Sequence, residues 1–332
     1  IAKAGAGRII TVRDSLNHVG SSNAFTVNPG ALHHFAISPI ATPQIAGAGF
    51  AVTITAQDSL NNTIPTFVGP VTISDLTGTV TPTSNSGPFT LGVRTETLRI
   101  TQAATNNRIT VTGGGRTGQS NLFNVNAGAL ERFEFSLIPV SQTAGNAFLF
   151  SVTARDASGN AIPHTGTVTL TDNTGTLNPT SVVFSGQTSQ NINAVITKAQ
   201  TNVVITASGA LKTGQSNSFT VNHAALDRFD ITNTSDLNIG SQTAGTAFSI
   251  KIIARDQFDN IVTSHNGAGS AVTLSNTTAS IGPTSSGNFS GGILASQSVT
   301  ITKTASADAI TATHTASGTN GVSNNFAVNA GP

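Results

Sequence analysis

A chain that repeats the same anchors about every hundred residues is built as a row of like units, and this constrains its fold more than any other feature. The segment Gly30-Ala31-Leu32-His33-His34-Phe35 returns as Gly128-Ala129-Leu130-Glu131-Arg132-Phe133, then as Ala224-Ala225-Leu226-Asp227-Arg228-Phe229, at spacings of 98 and 96 residues. A second anchor, Ala46-Gly47-Ala48-Gly49-Phe50, is matched by Ala144 to Phe148 and Ala244 to Phe248. A third, Ser22-Asn23-Ala24-Phe25-Thr26-Val27, recurs as Ser120 to Val125, Ser216 to Val221 and Ser323 to Val328.

Each unit reads as strands. Phe50, Val52, Ile54 and Ala56 alternate with polar or small residues, as do Phe148, Phe150, Val152 and Ala154, and Phe248, Ile250, Ile252 and Ala254. Period-2 alternation marks a strand with one buried face. Turn residues follow at Asp156-Ala157-Ser158-Gly159-Asn160 and Ile162-Pro163, and further strands are expected at Val168–Leu170, Val182–Phe184, Ile192–Ile196 and Val203–Ala207. About seven strands with turn signals every ~8–12 residues is the profile of an immunoglobulin-like sandwich. The expected fold is all-β: tandem immunoglobulin-like β-sandwich repeats arranged end to end. Phe50, Phe148 and Phe248 are expected in the cores with Val27, Val125, Val221 and Val328.

The order Ala-Gly-x-x-Phe, Ala-Arg-Asp-x-x-Gly-Asn, Thr-Gly-Thr-Val-Thr-Leu, Ser-Asn-x-Phe-x-Val resembles bacterial Ig-like and filamin-type repeats. Such repeats fill giant cell-surface proteins and adhesins of the invasin and intimin kind. The resemblance implies a prokaryotic extracellular setting. The third unit departs most, because Phe258-Asp259-Asn260-Ile261-Val262 lacks the Pro and Ser264–Ala271 is longer and Gly-rich.

The repeats divide the chain into residues 29–126, 127–222 and 223–332, preceded by residues 1–28. Ile1-Ala2-Lys3-Ala4 aligns with Ile196-Thr197-Lys198-Ala199 and Ile301-Thr302-Lys303-Thr304, so residues 1–28 read as the C-terminal strands of an incomplete repeat. Ile9, Ile10, Val12, Phe25 and Val27 then call for a partner sheet from outside that segment, either preceding polypeptide of the same array or a neighbouring subunit. The junctions Asn126-Ala127-Gly128 and Asn222-His223-Ala224 are too short to be flexible tethers, and are expected to limit bending between neighbours.

Composition narrows function. Charged residues are 9% of the chain and the net charge is +1, so no basic surface suits a nucleic-acid backbone. No apolar run approaches the ~20 residues of a membrane span. There is no Cys, Met, Trp or Tyr, which excludes disulfides and thiol chemistry and suits a long-lived extracellular protein.

Candidate chemical groups are few. Asp58, Asp156 and Asp256 end the best strand of each unit, with Asn62, Asn160 and Asn260 close behind. Oxygens of this kind suit a cation, but Asp and Asn more commonly bond their own backbone and shape a turn. The histidines, His18, His33, His34, His164, His223, His265 and His314, form no repeated pair with an acid. His33 and His34 are expected on opposite faces of a strand. Lys3, Lys198 and Lys303 share one repeated position, occupied by Gln102 in the other unit. The family resemblance raises a Lys–Asn isopeptide bond to Asn121, Asn217 or Asn324. That chemistry needs a buried acid, and Glu occurs only at positions 96, 131 and 134, so a solvated Lys is favoured. Four sequons start at Asn61, Asn233, Asn276 and Asn288.

No nucleophile elbow, phosphate loop or dinucleotide fingerprint is present, so no enzyme, cofactor or metal site is expected. The favoured function is a structural component of an extracellular fibre or cell-surface stalk. Its partners would be copies of itself or adjacent repeats of the same array. An adhesin module binding a receptor or glycan through sandwich-end loops is the first alternative, hinted at only by Phe67, Phe89 and Gly267–Ser270. A non-catalytic accessory region of a secreted enzyme is the second.

Overall fold

The computed structural model describes residues 1–331, and its regular elements among the described residues are all strands. The chain forms two compact units. The first comprises Ile1–Arg132 with Thr153–His164 and Gly186–Ser189; the second comprises Phe133–Val152, Thr165–Ser185 and Gln190–Pro332.

In the first unit, His34–Ile37, Gly49–Gln57, Val93–Ile100 and Val80–Thr81 form one antiparallel sheet in that order. Across from it, Arg116–Gln119 pairs Ile109–Gly113, which pairs Thr72–Asp75. A third small sheet runs Ala104–Asn107, Phe123–Asn126, Gln44–Ile45, with the last pair parallel. The alternation read from Gly49–Gln57 is realised, since Val52, Ile54 and Ala56 are fully buried. They meet Phe35, Leu98, Ile73, Val111 and Phe123 in one core drawn from all three sheets. This is an immunoglobulin-like sandwich.

Residues 1–28 reproduce only the late strands. Gly5–Arg8 pairs Phe25–Val27 with the same slipped register that Ala104–Asn107 shows against Phe123–Asn126, and Thr11–Arg13 pairs Val19–Ser21. Ile10 and Val12 are 50% and 67% exposed, whereas their equivalents Ile109, Val111, Ile310 and Ala312 are fully buried. Val27 is half-buried, not in a core as the pattern led one to expect.

The second unit repeats the scheme. Arg228–Asn233, Ala247–Arg255, Ile293–Ile301 and Ile281–Gly282 form one sheet, opposed by Thr273–Asn276, Ile310–Thr313 and Asn320–Val322. Phe229, Ile250, Ile252, Leu274, Ile310 and Phe326 belong to its core. In the repeat between them, a pairing that is brief in the other two is extended. Ser181–Ser185 runs along Thr165–Asp172, where Ser84 and Ser285 make only isolated bridges to Thr72 and Thr273, and Asn178 bridges Val195 as Thr81 pairs Arg99 and Gly282 pairs Thr300.

The segment expected as one strand, Val203–Ala207, is two. Gln200–Val203 and Ile205–Gly209 lie in different sheets. Asn202 takes a left-handed conformation (φ 55°) within a slipped register, and Asn106 does the same at φ 54°. An αL residue turns the strand so that it can serve both sheets. Of the three expected core rings only Phe148 is buried, at 8% exposed; Phe50 and Phe248 are half-buried and pack against their cores from the margin. They stand near the beginnings of their strands, at the sheet margin, with edge contacts to Phe123 and Phe326 at 5.9 and 6.0 Å.

Candidate functional site

The turn after each Gly49–Gln57-type strand carries the repeated Asp and Asn, and both side chains act beyond their own turn. The Asp58 carboxylate accepts the backbone N–H of Leu60 and Asn62 at 2.9 and 2.8 Å, as a turn-forming Asp does. Its second oxygen accepts the N–H of Gly30, in the linker, at 2.8 Å. Asp156 and Asp256 take the N–H of Gly128 and Ala224 at 2.8 Å in the same way. All three carboxylates are buried, 0–3% exposed.

The Asn completes the arrangement. Asn160 Oδ1 accepts the N–H of Ala103 at 2.9 Å, and its Nδ2 donates to the carbonyl of Thr101 and to Asp156 Oδ2, both at 2.8 Å. Thr101 and Ala103 belong to the preceding repeat, so the carboxamide binds that repeat's backbone as a neighbouring strand would. Asn62 makes the same set with Ala4 and Ala2, and Asn260 with Ala199 and Thr197. One clasp therefore occurs three times. The Asp holds the linker, and the Asn holds the preceding repeat's late strand. The two are bonded to each other, so neither the buried carboxylate nor the half-buried carboxamide is left unpaired.

A small residue seats the clasp. Gly145 (φ 78°) lies against Phe258, and a Cβ there would fall 2.2 Å from the ring. Gly47 (φ 78°) faces Ser158 likewise. The Ala-Gly anchor thus marks where the following repeat's turn sits. Beside each clasp runs an open groove of about 350–530 Å³, lined by the Asn and the late strand it holds.

The electrostatics follow from this bonding. The Asn62 amide and the Gly30 N–H hold Asp58 down from 3.8 to about 2. Burial alone would raise Asp156 and Asp256, but their Asn amides and linker N–H groups outweigh it, and both stay below the ordinary carboxylate value.

The other sequence candidates resolve differently. The Asn of the Ser-Asn-x-Phe anchor bridges to its own repeat. Asn121 accepts the Ile40 N–H at 2.8 Å and donates to the Ile40 carbonyl at 2.9 Å, with Asn217–Ile138 and Asn324–Ile239 alike. These carboxamides are engaged by backbone, and Lys303 Nζ donates to the Thr278 carbonyl at 3.3 Å. Glu96 accepts from Arg94 Nε and from Ser86, both at 2.8 Å, and so pins its own loop. His33 and His34 do not point apart: their rings meet edge-on at 5.4 Å, because the strand begins only at His34. Phe67 and Phe89 are not a displayed aromatic surface. They pack together and on Phe35, with centroids 5.0–6.4 Å apart. The Asn276 carboxamide is buried and donates to Asp308 at 2.7 Å, which closes that sequon to a glycan. Among the described residues no three His, Asp or Glu gather as metal ligands do.

No family model and no curated protein matches the chain. Solved structures similar to it include FdeC, an Escherichia coli adhesin, at 19% identity over 92% of this chain and all of that one, TM-score 0.37. Invasin, a bacterial integrin-binding protein, is 14% identical over 89% of this chain, TM-score 0.36, and domains 4–9 of the surface-layer protein SbsC are 16% identical over 98%, TM-score 0.24. The chain spans 60% and 48% of those last two structures.

Proposed function

We propose that this chain is a structural, load-transmitting segment of a tandem Ig-like array at a prokaryotic cell surface, as part of a stalk or fibre. The observation that supports this reading is the clasp, which appears with the same bonds at three successive junctions. A module selected to bind a ligand needs one distinctive end; a chain selected to transmit tension needs every junction alike. Each clasp ties backbone to backbone through two side chains, so pulling one repeat draws on the late strand of the one before it. The low charge of 9% leaves little repulsion between such repeats. Of the sequence hints for the adhesin alternative, Phe67 and Phe89 are packing residues, which leaves Gly267–Ser270.

The test is single-molecule pulling of the full chain. Wild type is compared with a double variant, Asn160→Ala with Asn260→Ala. Lower forces for the first unfolding events in the variant are expected. Identical force distributions would remove the mechanical role from the clasp.

A further inference from the structure

Each clasp has two halves, and the third repeat displays one of them. The receiving half consists of a late-strand carbonyl, the N–H two residues on, and a linker N–H. At the junction built on Asn160 these are Thr101, Ala103 and Gly128. Their equivalents in the third repeat are Thr302, Thr304 and Gly331, and the linker Asn126-Ala127-Gly128 is repeated there as Asn329-Ala330-Gly331. The structure sets them in the same relation. A Cβ on Gly331 would lie 3.3 Å from the carbonyl oxygen of Ala244, as one on Gly128 would lie 3.7 Å from that of Ala46. Thr304 and its neighbours line an open groove of about 500 Å³ together with Val328–Ala330, at the same place as the grooves beside the other clasps. The seat is open too. A Cβ on Gly245 (φ 81°) would meet nothing within 4 Å, whereas Gly145 meets Phe258 and Gly47 meets Ser158.

We infer that the Thr302–Thr304 strand end, Gly331 and Gly245 together form a docking surface for the Asp-x-x-x-Asn turn of a further Ig-like repeat. The occupant follows from the junction chemistry. It must bring a carboxylate for the Gly331 N–H and, four residues on, a carboxamide that accepts from Thr304 while donating to Thr302. The turns Asp58–Asn62, Asp156–Asn160 and Asp256–Asn260 carry those groups at that spacing. The inference rests on the clasp reading, and the experiment separates the two.

The experiment joins two copies of the chain so that Gly331 of the first is followed directly by Ala31 of the second, in place of Gly30. Amide exchange is read at Thr304 and Gly331 of the first copy. Both are expected to slow at least ~10-fold relative to the single chain, as newly bonded amides do. Asn62→Ala in the second copy should release Thr304, and Asp58→Ala should release Gly331. Unchanged exchange at both, with Ala103 and Ala199 still protected, would overturn the docking surface and leave the internal clasps standing. Fast exchange at Ala103 and Ala199 in the single chain would overturn the clasp itself.

Discussion

Replacing Asn160 by Ala removes three hydrogen bonds at one junction: the Ala103 N–H donor, the Thr101 carbonyl acceptor and the bond to Asp156. Two are neutral, at about 1 kcal/mol net each; the third ends on a carboxylate and contributes about 1.5–3 kcal/mol in the general case. Thr101 is exposed and Asn160 only half-buried, so water replaces part of the loss. The expected cost is about 2–3 kcal/mol, read as a shift of the urea midpoint of the full chain followed by circular dichroism. Asn160→Asp should cost more than Ala at neutral pH. It removes the Nδ2 donor and sets a second carboxylate where the amide lay 2.8 Å from Asp156 Oδ2. That excess should shrink on acidification, as one of the two acids takes a proton. A shift below about 0.5 kcal/mol for Ala, or a pH-independent effect for Asp, would refute the clasp energetics, since surface changes without a structural role fall in that range.

Other expectations concern the seat, the core and pH. Gly145→Ala should destabilise more than Gly245→Ala in the same urea assay: both force Ala to a positive φ at about 1–2 kcal/mol, but only Gly145 also meets the Phe258 ring. Equal losses would remove the contact with Phe258. Phe148→Ala should cost about 3–5 kcal/mol, and Phe50→Ala less, because Phe148 is the more deeply buried ring. Equal costs would contradict the marginal placement of Phe50. His265 is buried between Phe229 and Phe289, beside His314, and its Nε2 has no partner; burial and then His314 lower its pKa below 6.5. A neutral imidazole is favoured in the fold, so this stability is full above pH 6.5 and declines as pH falls below it. The clasp carboxylates run lower. Asp58, held at about 2 against 3.8, keeps its contribution above pH 3.8 and loses it as pH falls towards 2. His265→Phe, which places there the ring found at Phe67, should flatten the stability profile below pH 6.5; an unchanged slope there would exclude His265 as its source.

The fold was legible because its signals are local. Period-2 alternation at Val52, Ile54 and Ala56 and fixed anchor spacing identify strands and repeats without any knowledge of contacts. Residues whose partners lie far along the chain were harder to read. Asp58 and Asn62 look like a self-contained turn, and they are one. Their second set of bonds runs to Ala2, Ala4 and Gly30, and nothing within five residues of the motif announces it. The signal available was the invariance of Asp and Asn in all three turns, while the residues between them change from Ser-Leu-Asn to Ala-Ser-Gly to Gln-Phe-Asp. A turn alone would tolerate more change at its ends. Aromatic residues misled in the opposite direction: Phe67 sits in a loop by sequence, yet its ring closes the end of the sandwich on Phe35 and Phe89.

The most direct measurement of the clasp is amide exchange at Ala103 and Ala199 in the full chain, whose N–H groups have the Asn160 and Asn260 carboxamides as acceptors. Both should exchange at least ~10-fold more slowly than in an unstructured peptide. Asn160→Ala should release Ala103 and leave Ala199 protected, and Asn260→Ala should do the reverse. Exchange at the unstructured rate in wild type, or release of neither amide by its own variant, would contradict a chain whose repeats are joined in this way.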